Sequence, residues 1–136
     1  MKINIVFAVG SLGIIVGSFL PWYTEVYSTG SQLVYDGMEI GWGVTPFVLG
    51  IVLLLLAVFA ANSSNRIKVW AEGLLSAFLL FYGFVAIMAS RDQVQTAPNG
   101  FLGPGLWLLM AGAVLHFVAF LVIFIGVRFI TRPESG

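Results

Sequence analysis

The chain alternates between four long apolar stretches and short polar connections. The first stretch lies between Lys2 and Glu25, and the second between Glu39 and Arg66. The third runs from about Val69 to Ser90 with Glu72 just inside its start, and the fourth fills the uncharged interval between Asp92 and Arg128. Each supplies the about 20 mostly apolar residues a helix needs to cross the hydrocarbon core. The pattern predicts helices over about 4–22, 42–61, 69–90 and 105–127. The run Val52-Leu53-Leu54-Leu55-Leu56-Ala57-Val58-Phe59 lacks the every-second-residue alternation of a membrane β-barrel strand. Helices pair their own backbone polar groups, as lipid requires. The expected fold class is an all-α membrane protein, a four-transmembrane-helix antiparallel bundle forming one domain over 1–136.

The connections carry turn and strand chemistry. Pro21 closes the first helix, Pro46 falls in the first turn of the second, and Pro104 opens the fourth, where a missing N–H costs nothing. The loop from Asn62 to Lys68 is short enough to make helices two and three an antiparallel hairpin. The second outer loop, Arg91 to Gly103, contains the turn-forming Pro98-Asn99-Gly100. In the first outer loop, strand-forming Tyr23-Thr24-Glu25-Val26-Tyr27-Ser28 and Gln32-Leu33-Val34-Tyr35-Asp36 flank Thr29-Gly30-Ser31, which predicts a short extracellular β-hairpin.

Composition narrows the class. Hydrophobic residues make up 60% of the chain and charged residues 9%, against about 25% charged in a soluble domain. Mean hydropathy is +1.03. That excludes an ordinary soluble domain and a disordered chain. Six basic residues are balanced by six acidic ones, so no basic patch remains for nucleic acid. Lys2, Arg66, Lys68, Arg128 and Arg132 fall on one side of a four-span arrangement. Glu25, Asp36, Glu39 and Asp92 fall on the other, with Arg91 the exception. Positive charge marks the cytoplasmic side, so the expectation is a multi-pass cell-membrane protein with both termini cytoplasmic. Trp22, Trp42 and Trp107 then sit at the outer boundary and Trp70 at the inner one, as an aromatic belt would. Lys2 and Val16-Gly17-Ser18 also fit a cleaved signal peptide, but a retained helix is expected. Asn62-Ser63-Ser64 fits a glycosylation acceptor, but lies on the cytoplasmic side and is read as an ordinary loop.

Small residues recur with a period of seven. Gly43, Gly50 and Ala57 mark the second helix, and Gly105, Gly112, Ala119 and Gly126 the fourth. Gly10, Gly13 and Gly17 mark the first. Such stripes let helix backbones approach closely in lipid, either within the bundle or between subunits. Helices two and four also align with each other: Gly41, Gly43, Gly50, Val52, Leu53 and Ala57 match Gly103, Gly105, Gly112, Val114, Leu115 and Ala119. This is the pattern of two repeated helix hairpins, related by an axis along the membrane normal.

Ionisable residues within a span are functional candidates by default. His116 lies mid-helix on the small-residue stripe, with Ser76 and Tyr82 as candidate partners. It reads as a buried neutral histidine held by hydrogen bonds, or as a proton-relay, pore-lining or ligand group. Glu72 lies about one turn inside the third helix and is expected to reach headgroup water or Arg128, about 10 Å from His116 by depth. The chain has no cysteine and one histidine, which removes thiol chemistry, zinc clusters and paired-histidine haem. Ser76 with His116 is the one conceivable nucleophile–base pair, and the Gly-x-Ser-x-Gly elbow is absent. No catalytic, cofactor or metal site is expected.

Phe19-Leu20-Pro21-Trp22, Asp36-Gly37-Met38-Glu39-Ile40-Gly41-Trp42-Gly43 and Gly103-Pro104-Gly105-Leu106-Trp107 resemble the corresponding segments of uncharacterised prokaryotic four-helix integral membrane proteins with a Leu-Pro-Trp motif after helix one. That resemblance covers most of the chain and implies the four-helix layout without an activity or site residues. The layout is also similar to the claudin-like plan, although the paired cysteines of claudin loops are missing. The expected function is non-catalytic: an accessory, structural or self-assembling tetraspan subunit, a homo-oligomer or part of a membrane complex, with the lipid bilayer as its solvent. The competing expectation is a small oligomeric ion channel or transporter with His116 in the pathway.

Overall fold

A computed structural model describes residues 2–59, 66–95 and 100–130, with side chains over 5–59, 66–95 and 100–126. It contains four helices, α1 (Lys2–Phe19), α2 (Val44–Phe59), α3 (Arg66–Gln95) and α4 (Pro104–Ile130), and three strands, β1 (Pro21–Val26), β2 (Gln32–Asp36) and β3 (Phe101–Leu102). Asn62-Ser63-Ser64, Pro98-Asn99 and Arg132 lie outside the described residues, as do the side chains of Lys2 and Arg128. α3 and the Pro104–Gly126 part of α4 are long and apolar enough to cross a membrane; α1 and α2 are apolar but shorter. At 1.5 Å per residue, the 30 residues of α3 extend about 45 Å. Its last turn and a half, Arg91 to Gln95, is polar yet stays helical, because Val94 packs into the core beneath the sheet.

The helices follow the spatial order α2, α1, α4, α3. α1 packs most extensively on α4 and next on α2, while α3 packs on α4. α2 and α3 are consecutive in sequence yet meet only lightly, so the expected α2–α3 hairpin is loose. Two repeated hairpins about one axis would make the α2–α3 contact match the α1–α4 contact. The α1–α4 contact is the most extensive of all and the α2–α3 contact is slight, so the packing does not carry the repeat. The reason is local: Gly50 of α2 and Gly105 and Gly112 of α4 all turn toward α1 and its end.

The expected hairpin is present. β1 and β2 pair antiparallel, with Glu25 opposite Leu33 and Thr24 opposite Val34. The turn closes through the Tyr27 N–H to Ser31 carbonyl bond, with Gly30 at φ 83°, the left-handed position that a three-residue hairpin loop demands. The second outer loop adds β3 to the other side of β1, giving the order β2-β1-β3. Two residues are too short a run to show as a strand in sequence.

Trp22 corrects an expectation. It is fully buried rather than placed at the outer boundary, because α1 stops at Phe19 and β1 begins at once. The strand turns the indole back over the end of the bundle, where Nε1–H donates to the Gly17 carbonyl at 2.9 Å. Gly37 lies flat against the ring; a Cβ there would come within 2.5 Å of it. Trp42 and Trp107 are exposed near the sheet end, and Trp70 is exposed near the opposite end.

Candidate functional site

The α1–α4 interface is built from bare backbone. A Cβ on Gly10 would lie 2.9 Å from the Gly112 carbonyl oxygen, and one on Gly17 would lie 2.7 Å from both the Gly105 oxygen and the Leu109 nitrogen. Gly13 faces Gly112 at an ordinary 3.5 Å. On α2, Gly50 abuts Ile14 and Ile15, Gly43 abuts Gly37, and Ala57 packs with Phe7, Ala119 and Phe120. These stripes therefore meet inside one chain. Gly126 differs: no heavy atom from elsewhere in the described structure lies within 4 Å of its Cβ position.

Close approach of α1 and α4 draws His116 to the centre. Its imidazole has no exposed surface and packs on the Phe7 ring with centroids 4.6 Å apart. Neither Nδ1 nor Nε2 has a hydrogen-bond partner among the described residues. The partners expected from sequence are engaged elsewhere. Ser76 donates to the Gly73 carbonyl at 3.0 Å, and Tyr82 donates to the Trp42 carbonyl at 2.6 Å. A serine in a helix always has a carbonyl one turn back within reach. Tyr82 lies further along α3, where it bridges to the start of α2 instead.

Glu72 is also buried, at 1% exposure, although it is a carboxylate near a helix start. Its neighbour among the described residues is Lys68, with Nζ 3.8 Å from Oε1, while the expected partner Arg128 has its side chain outside the described residues. That oxygen accepts no hydrogen bond among the described residues. Lys68, Glu72 and Ser76 are spaced four residues apart and so share one face of α3, with Lys68 at its outer end. α3 meets α4 antiparallel: Gly73 lies against the Phe120 ring and Gly83 against Met110. Interpolating between these contacts sets Ser76 level with residues 116–117. Glu72 then lies about 6–8 Å further toward the start of α3.

One turn beyond His116, toward the sheet, Ile14, Leu53, Leu79 and Ala113 form a cluster. Each helix contributes one of these residues, and all four are fully buried. This layer was not legible in sequence, since nothing distinguishes these residues from their apolar neighbours.

Beyond the layer, a pocket of about 270 Å³ is lined by Tyr23, Ile40, Trp42, Ala89, Ser90 and Gln93. It holds no charged group and none of the expected site residues. The acidic residues of the first outer loop are engaged locally: Asp36 Oδ1 accepts the Glu39 N–H at 2.7 Å, and Glu25 accepts the Tyr27 hydroxyl at 2.6 Å. No cluster of metal-ligating side chains occurs among the described residues. Comparison with models of known protein families and with proteins of described function finds no match.

Proposed function

We propose that this chain is an integral membrane protein whose four helices cross the bilayer, with both termini cytoplasmic and the sheet outside. It acts without catalysis, as an accessory, structural or self-assembling subunit. The observation that carries this reading is the distribution of side chains across the bundle. Large apolar groups face outward on every helix, among them Leu12 and Val16, Val48 and Leu55, Leu74 and Phe81, Val118 and Val122. Serines, glycines, Glu72 and His116 face inward. Among the described residues from 69 to 90 and 104 to 126, the one charged side chain is Glu72, and it is buried. Water would not tolerate an apolar surface of that extent, whereas lipid requires it.

The association half of the proposal rests on what remains for a partner. Apart from Gly126, the glycine stripes are used within the chain. β2 is an edge strand of the sheet, with Leu33 and Val34 about half exposed, and an edge strand offers unpaired backbone groups to another chain. The channel reading has weaker support, because His116 faces the inside of a single bundle and a cluster of four buried apolar residues, one from each helix, lies beside it. Mass measurement of the particle in mild detergent tests the association reading. A particle larger than the 14.7 kDa chain, reduced by Val34→Pro, is expected; a monomer without a partner refutes it. Labelling of intact cells at a tag following Gly136 tests the topology and should fail to reach it.

A further inference from the structure

We infer that Glu72, Ser76 and His116 form a proton-binding site inside the bundle that is reached from one end only, the end where α3 begins. Two buried ionisable groups about 6–8 Å apart in level carry atoms with no hydrogen-bond partner among the described residues: both imidazole nitrogens of His116, and Oε1 of Glu72, which lies 3.8 Å from Lys68 Nζ. Leaving a polar group unpaired in an apolar interior is costly, so a paired pair of carboxylate and imidazole is the state such a site favours. Ser76 lies level with His116 and one turn from Glu72 on the same face of α3. Its hydroxyl donates to the Gly73 carbonyl, which leaves its oxygen lone pairs available to accept.

The surroundings make the site one-sided. α1 presents Phe7 and Gly10 to His116, and α2 presents no charged residue over its described length. α4 contributes Ala119 and Phe120, and among the described residues Lys68 and Glu72 of α3 are the charged groups on the facing surfaces. Lys68 stands at the outer end of the ladder, and Glu72 is one turn in. Toward the sheet, the layer of Ile14, Leu53, Leu79 and Ala113 offers no group that can carry a proton. A proton entering at Glu72 gives a carboxylic acid. The Ser76 hydroxyl breaks its bond to the Gly73 carbonyl, turns its proton to a nitrogen of His116, and takes the proton of Glu72 in its place. The net change is one carboxylate and one imidazolium, with serine restored. The layer prevents passage to the far side, so the site senses proton activity rather than conducting. That this end is the cytoplasmic one rests on the membrane reading above; the one-sidedness does not.

The chain has a single histidine, so the imidazole ¹⁵N signal of the full chain in lipid nanodiscs reports His116 directly. Exchange of its N–H with water is expected, slowed by about tenfold or more in Ser76→Ala and in Glu72→Gln. Ser76→Thr, which keeps the hydroxyl, and Ser18→Ala, beyond the apolar layer, should exchange as the unsubstituted chain does. If the variants do not fold, the unsubstituted chain decides. In vesicles holding it in one orientation, an acid jump on the side where α3 begins should shift the His116 signal, and a jump on the sheet side should not. Response from both sides, response from the sheet side alone, exchange indifferent to Ser76→Ala, or no exchange at all would overturn the inference. A chain that stays dispersed in buffer without amphiphile refutes the membrane reading instead, and the exchange comparison then applies in solution with the same criteria.

Discussion

Gly112→Ala adds one methyl group where two helices touch through their backbones. The new Cβ would sit 2.5 Å from the Gly10 carbonyl oxygen and 2.9 Å from the Ile14 nitrogen. Ordinary contact is about 3.5 Å, so α1 and α4 must move apart by about 1 Å. Neither obstructing atom belongs to a side chain, so no rotamer change relieves the clash. Overpacking of this kind costs about 1–3 kcal/mol. Gly126→Ala is the matched control on the same helix, because its Cβ position is open. There the higher helix propensity of alanine should leave stability unchanged or raise it by up to about 1 kcal/mol. Equilibrium unfolding in mixed micelles with increasing sodium dodecyl sulfate, followed by circular dichroism, measures both. Gly10 and Gly112 obstruct each other, so the double substitution should cost less than the sum of the single ones. Equal effects of Gly112→Ala and Gly126→Ala would refute the reading of the stripe as an internal backbone contact.

Trp22→Ala should destabilise the fold by about 3–5 kcal/mol in the same unfolding assay, because it empties the space under the sheet and frees the Gly17 carbonyl. Tyr82→Phe removes the bond to the Trp42 carbonyl, which ties α3 to the start of α2. It should cost about 0.5–1.5 kcal/mol and speed proteolysis near residue 42; no change would mean the loose α2–α3 seam is held elsewhere. The Tyr27 hydroxyl is pushed up from 10.0 to about 12, chiefly by its hydrogen bond to Glu25. The protonated form is the one held in the folded state. The hairpin bond is therefore fully present below pH 10 and lost as pH rises through about 12. Ultraviolet titration of the chain against Tyr27→Phe should show that midpoint, and Glu25→Gln should bring it back toward 10; a midpoint near 10 in the unsubstituted chain refutes the bond.

Some of the candidate site was readable because it breaks a pattern. His116 and Glu72 stand out as ionisable residues in apolar runs, and the seven-residue glycine spacing marks surfaces that need close approach. Partners were not readable. The sequence offers Ser76 and Tyr82 to His116 on equal terms, and only the register of α3 on α4 separates them. Tyr82 is drawn to a carbonyl forty residues away in the chain. Lys68 as a neighbour of Glu72 was legible through its four-residue spacing along the helix.

Sequence by itself determined the helices and the hairpin, since both follow from local periodicity and turn chemistry: apolar runs of helical length, prolines at their ends, and glycine where the hairpin needs a positive φ. Tertiary structure alone decided which helices are neighbours, why Trp22 is a core residue, and where the apolar layer of Ile14, Leu53, Leu79 and Ala113 closes. The physical reason is that nearly every residue in these helices is apolar, so hydrophobicity cannot tell an inward face from an outward one. The inside is selected by size and shape, through backbone contacts at Gly10, Gly17, Gly105 and Gly112, and those exist only once the helices are brought together.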